Sequence, residues 1–202
     1  MLYFILVTLT EVFFVEYVNP IRDIETIQKM KKVIRKHSLR DLLFFVIGIN
    51  TGITLNDLLN LKVSDVWDGT KMCEYLKIKD HKTGEVKTYY LNSKVEEVLL
   101  EYLSKNEWKS DDYLFKSKKN NNQPITRQQA YRIINNAAKE VGISEKIGTT
   151  TLRKTFGYHA YYKGVAISLI KSIFNHNSTA ETLKYIGIEK NDELPIKVDV
   201  NL

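Results

Sequence analysis

The sequence predicts an α+β domain, mainly helical, with one small three-stranded antiparallel sheet. Apolar residues recur at helical spacing over most of the chain, one central stretch alternates instead, and capping residues or glycines punctuate the junctions. The 202 residues allow one principal core, with room for a small appendage.

Taken in order, Pro20 marks a boundary, after which "RDIETIQKMKKVIRKHS" reads as a helix with Ile24, Ile27, Met30 and Ile34 on one side and a basic face opposite. "SLRDLLFFVIGINTG" reads as an apolar helix ended by Gly52, and "TLNDLLNLKV" begins another with Thr54 as N-cap and Asp57 in a capping-box relation. "KVSDVW", "CEYLKIKD" and "VKTYYLN" alternate and are rich in β-branched and aromatic residues, which predicts three strands, the last two joined around "HKTGE" with Gly84 at the turn. "SKVEEVLLEYLSKN" follows as an amphipathic helix with Ser93 three residues before Glu96 and with Val95, Val98, Leu99 and Leu103 inward. "KSKKNNNQPI" is a polar loop. "TRQQAYRIINNAAKEVG" is a helix with a Thr126/Gln129 capping box and Gly142 at its end. "TTTLRKTFGYHAYYKG", "AISLIKSIFNH" and "STAETLKYIG" complete the helices, the last with Ser178 and Glu181 as its capping box.

The 44% apolar content is that of an ordinary globular protein. A net charge of +6 points to a polyanionic partner, nucleic acid above all, although a merely solvated basic surface has the same composition. The single cysteine, Cys73, excludes an intrachain disulfide, and the four histidines do not join it at zinc-ligand spacing. The expectation is a reduced, cytoplasmic protein without metal. Residues 1–17 are apolar, but the unbroken run is about ten residues, short of the ~18 that a membrane span needs. No basic residue precedes it, so a buried strand or helix, or a non-native extension, is expected ahead of a secretion signal, and no membrane association.

Four stretches, "NTGITLNDLLNLKVSDV", "DHKTGEVKTYYL", "TTTLRKTFGYHAYYKG" and "FNHNSTAETLKYIGIE", arrive together in one order. Their residues, order and intervals resemble the catalytic domain of the tyrosine recombinases, the phage integrase family, especially the short integrases of Gram-positive bacteria. The resemblance runs from about residue 18 to residue 190. It implies a tyrosine attacking a DNA phosphodiester to give a 3′-phosphotyrosine link, with cationic donors on the phosphate and no cofactor or ATP. Tyr185 matches the nucleophile, Arg153 the second arginine, His176 the late histidine nine residues before the tyrosine, and Lys82 the hairpin general acid. Two positions depart from the pattern: Thr54 stands where the family has its first arginine, and Thr150 where it has a histidine three residues before the second. Asp57 keeps the supporting acidic position and with it the register.

Without the resemblance, Tyr185 would read as a packing tyrosine, Arg153 as a surface or ion-paired arginine and His176 as a loop histidine. The depleted site leaves two expectations: a site-specific recombinase or integrase with slowed cleavage, or an inactive DNA-binding relative that regulates or competes. Double-stranded DNA is the expected partner of either. Candidate contacts are Lys29, Lys32, Arg35 and Lys36 on the first helix, Lys118 and Lys119 in the polar loop, and Arg127 and Arg132 on the next helix. A core-binding domain of the kind many relatives carry before the catalytic domain is not expected. The tail, 191–202, alternates behind Pro195; it docks on a neighbouring protomer to build a homo-oligomer on DNA, or folds back on its own domain.

Overall fold

The computed structural model describes residues 18–79, 84–118 and 122–189. Residues 1–17, residues 80–83 with Lys82, residues 119–121 with Lys119, and residues 190–202, which include the tail 191–202, lie outside these. Helix α1 (Ile24–His37) starts at Asp23, whose carboxylate accepts from the Glu25 and Thr26 N–H groups at 3.2 and 2.7 Å. Ile27, Met30 and Ile34 are buried as expected, but Ile24, at the first helical position, is 62% exposed.

Helix α2 (Leu39–Thr51) has no polar face over Leu42–Gly48, all of it buried, and it becomes the central helix, packed by α1 and by two later helices. Helix α3 (Leu55–Leu59) begins at Thr54, whose hydroxyl accepts from Asp57 N–H at 3.2 Å and donates to the Asp57 carboxylate at 2.6 Å.

The expected first strand is instead a helical turn, α4 (Val63–Val66). Val63 and Val66, spaced i and i+3, are both buried, and the Asp65 carboxylate accepts from Lys62 N–H at 2.7 Å. Ser64 and Asp65 are poor strand residues and good helix-start residues, so the local hydrogen bond decides. Trp67 then pairs with Met72 in an isolated bridge. The sheet among the described residues therefore has two antiparallel strands, β1 (Tyr75–Lys79) and β2 (Val86–Tyr90), in register Tyr75↔Tyr90 to Lys79↔Val86. Leu76 and Tyr89, directly paired, are its buried residues.

Helix α5 (Ser93–Leu103) packs on α2 and is capped by Asn92 rather than Ser93; Asn92 Oδ1 accepts from the Lys94 and Val95 N–H groups at 3.1 and 3.2 Å. Helix α6 (Arg127–Glu140) carries the expected Thr126/Gln129 box, with bonds of 2.8 and 3.2 Å. Helix α7 (Thr149–Tyr162) packs on α2 and bears α8 (Ile167–Phe174) and α9 (Thr179–Ile186) on its other side. Ser178 caps α9, but the Glu181 carboxylate bonds Asn177 N–H, one residue earlier than a capping box requires.

The large core surrounds α2, and a smaller cluster of Ile170, Phe174, Ile186 and Ile188 holds α8 and α9 to α7. Gly157 makes that docking close: a Cβ there would lie 2.5 Å from Ile186 Cγ2 and 2.8 Å from the Phe174 ring. Alanine gains up to about 1 kcal/mol in a helix interior, but overpacking against a β-branched stem and a ring costs about 1–3 kcal/mol. Gly157→Ala is therefore expected to lower the midpoint of thermal unfolding, whereas an unchanged or higher midpoint would contradict the close packing.

Candidate active site

Arg153 anchors the site from α7. Gly52 ends α2 in the left-handed region at φ 67°, where a Cβ would overlap Phe156, and this turn presents its carbonyl to the guanidinium. Arg153 donates through Nη1 to Gly52 O and through Nη2 to Ile173 O at 3.4 Å. The Phe174 ring lies 4.4 Å from its Cζ. Burial pulls its pKa down, and the nearby Tyr185 and Tyr89 phenols and the Asp57 carboxylate oppose this; the group stays charged.

His176 reaches the same place because α8 ends in a Schellman turn. Asn175, at φ 57°, takes the left-handed position, and the Asn175 and His176 N–H groups bond the Ser172 and Lys171 carbonyls at 3.1 Å each. The His176 ring meets Tyr185 edge to face, with centroids 4.9 Å apart. Its Nδ1 lies 3.1 Å from Thr182 Oγ1, whose own proton goes to Ser178 O at 3.1 Å. The threonine therefore accepts, the neutral imidazole carries its proton on Nδ1, and Nε2 becomes a donor only in the imidazolium. Burial depresses the His176 pKa below 6.5, with Arg153 adding to the depression and Glu181 opposing it.

Tyr185, on α9, is half-buried. Burial pushes its phenol above the usual value of 10.0, while Arg153, close enough to hydrogen-bond with it, pulls the other way. Phe174 supports the ring at 5.4 Å.

The structure thus brings together Arg153, His176 and Tyr185, with Asp57 behind the arginine. Thr54 and Thr150 supply no charge: the Thr54 hydroxyl serves the α3 cap, and Thr150 is exposed in the first turn of α7. Tyr89 and Lys154 were not foreseen. Tyr89 faces Arg153 from β2, and Lys154 Nζ lies 5.1 Å from the Tyr185 ring centroid. The alternation of β2 places Tyr89 inward, but nothing in the sequence says which group it meets.

Of the basic candidates, Arg127 reaches α3, with Nη2 3.5 Å from Asn56 Oδ1. Lys29 pairs with Glu25 at 2.9 Å and Arg35 with Glu101 at 2.5 Å, so both are partly neutralised on the surface. Lys32, Lys36, Lys118 and Arg132 are exposed. Among the described residues, no helix is long and apolar enough to cross a membrane, and no group of three His, Cys, Asp or Glu residues is placed to hold a metal.

The chain is 38% identical over 173 residues to the probable integrase/recombinase YoeC of Bacillus subtilis strain 168, covering 86% of this chain and 91% of that one. It is 27% identical over 167 residues to the tyrosine recombinase XerA of Pyrococcus furiosus, covering 81% of this chain and 56% of that one. Among solved structures, XerA recombinase superposes with a TM-score of 0.69 at 22% identity, over 86% of this chain and 61% of that one. The catalytic domain of bacteriophage HP1 integrase superposes with a TM-score of 0.60 at 20% identity, over 85% and 88% of the two chains. The structural likenesses speak for the fold alone. The sequence match carries the assignment, and since residues 22–192 also match the phage integrase family as a whole, the chain belongs to that family.

Proposed function

We propose that the chain is a site-specific DNA strand-transfer protein with a charge-depleted active site. In this reading Tyr185, its phenol proton lost to solvent, attacks a phosphodiester phosphorus as phenolate, the bond to the 5′ oxygen breaks, and a 3′-phosphotyrosine link forms. Arg153 and protonated His176 donate to the non-bridging oxygens, and Lys82 gives the departing 5′ oxygen its proton. The observation that carries the reading is the half-buried Tyr185 phenol facing the Arg153 guanidinium with its ring against His176. A tyrosine kept only for packing has no need of a cation that is itself withdrawn from water. Related folds have been solved on DNA, among them XerH with difH and the Tn1549 integrase with a circular intermediate, which supports a double-stranded DNA partner here. The exposed Lys32, Lys36, Lys118, Arg127 and Arg132, with Lys119, would neutralise phosphates, and the tail would serve assembly on DNA.

The test is trapping on a nicked duplex whose short 5′ product diffuses away. A denaturation-resistant protein–DNA species is expected from the natural chain and none from Tyr185→Phe; equal amounts from both would exclude Tyr185.

The second reading, an inactive DNA-binding relative, draws on Thr54 and Thr150. Each removes a phosphate donor, and one such loss costs about 10²- to 10³-fold in rate. DNA binding with no covalent species under any condition would favour it.

A further inference from the structure

Lys154 follows Arg153 on α7 but is 5% exposed. Its ammonium donates to Val18 O at 2.8 Å and lies 5.1 Å from the centroid of the Tyr185 ring. The segment to which it is tied runs into α1 and is pinned beside the same helices. Ile21 N–H donates to Thr155 Oγ1 at 2.9 Å, the His159 ring meets Ile21 O at 2.9 Å, and Arg22 donates to Gly187 O, at the end of α9, at 2.9 Å. A methionine would fill a similar volume in this place without the cost of burying an amine; what lysine adds is a charge, which donates to Val18 O and lies over the Tyr185 ring.

We propose that Lys154 is a positioning residue for Tyr185, holding the ring against the carbonyl of the segment that leads into the domain. The inference rests on the reading of Tyr185 as nucleophile. A cation at the ring face attracts the phenolate more strongly than the phenol, so Lys154 also favours the attacking form. Arg153 and Lys154 from α7, His176 from the turn before α9 with Glu181 opposite it, Tyr89 from β2, Asp57 behind Arg153, and Arg22 at the end of α9 are among the titratable and charged groups gathered at this place. Burial lowers the Lys154 pKa, as an ammonium enclosed in this way requires.

The test uses the full chain carrying difluorotyrosine, whose acidified phenol titrates without denaturing alkali. The Tyr185 resonance is identified by its loss in Tyr185→Phe. Lys154→Gln, Lys154→Met and Lys154→Arg are compared with Thr155→Val, which removes one of the bonds that hold the leading segment, at a point away from the ring. Both neutral variants are expected to raise the Tyr185 midpoint by at least about half a pH unit, with Arg restoring it and Thr155→Val leaving it in place. On nicked DNA the neutral variants are expected to slow adduct formation about tenfold or more with the DNA Kd unchanged. A Tyr185 midpoint indifferent to the charge at 154, or moved equally by Thr155→Val, would overturn the inference. Failure of the nucleophile reading shows separately, as absence of adduct from the natural chain, while the resonance still decides whether Lys154 governs the ring.

Discussion

Thr54→Arg combined with Thr150→His is expected to speed Tyr185-dependent DNA cleavage by roughly 10²- to 10⁴-fold while lowering the stability of the fold. Each donor taken alone is worth about 10²- to 10³-fold, but donors serving one phosphate act as a unit, so the product of the two is an upper bound. The stability loss has its own cause. Thr54 caps α3 through its hydroxyl, and removing such a cap costs about 0.5–2 kcal/mol, which an ion pair between the introduced guanidinium and Asp57 offsets only in part. At position 150 the imidazole would sit in the first turn of α7, one turn before Arg153, where the positive end of the helix keeps it neutral. A variant that is both less stable and faster separates an active-site gain from a general improvement in folding. Single-turnover adduct formation and thermal unfolding, run together, check both signs; an unchanged rate on bound DNA would place the deficit elsewhere than in missing charge.

The second large effect is in pH dependence. His176 donates through Nε2 only as imidazolium, which declines tenfold per unit above its depressed pKa. In the proposed reaction Tyr185 attacks as phenolate, which grows tenfold per unit up to its raised pKa. Between the two values the losses and gains cancel, so the cleavage rate of the natural chain is expected to be flat between about pH 7 and 9. Tryptophan carries an indole N–H that donates at every pH. His176→Trp is therefore expected to restore a rise of about tenfold per unit, about 10²-fold across that range. Parallel profiles for the two proteins would mean that His176 is not the phosphate donor or that its tautomer is the other one.

Much of this fold was legible because its helices carry their own start and stop signals. Asp57 in register with Thr54, the Thr126/Gln129 box and the left-handed Gly52 act within a few residues, so sequence alone can place them. The structure departs from the local signals where these compete. Val63 and Val66 suit a strand or a helical turn, and Asp65 tips the balance; Asn92 and Ser93 are both good caps, and the one nearer the sheet is used. Ile24 has helical spacing but no neighbour to cover it. At the site, the motifs placed Arg153, His176 and Tyr185 on three separate elements, and the structure gathers them because Gly157 lets α8 and α9 approach α7. Tyr89 and Lys154 join through tertiary packing, for which no local pattern exists.

Everything proposed for the site turns on which atom carries the DNA. The decisive measurement is mass spectrometry of proteolysed adduct from nicked substrate, with the natural chain and the Thr54→Arg, Thr150→His variant in parallel. Nucleotide is expected on the peptide containing Tyr185 in both, formed faster in the variant. DNA-bound protein with no modified peptide in either chain, or modification at another tyrosine such as Tyr89, would contradict the assignment of Tyr185 as nucleophile.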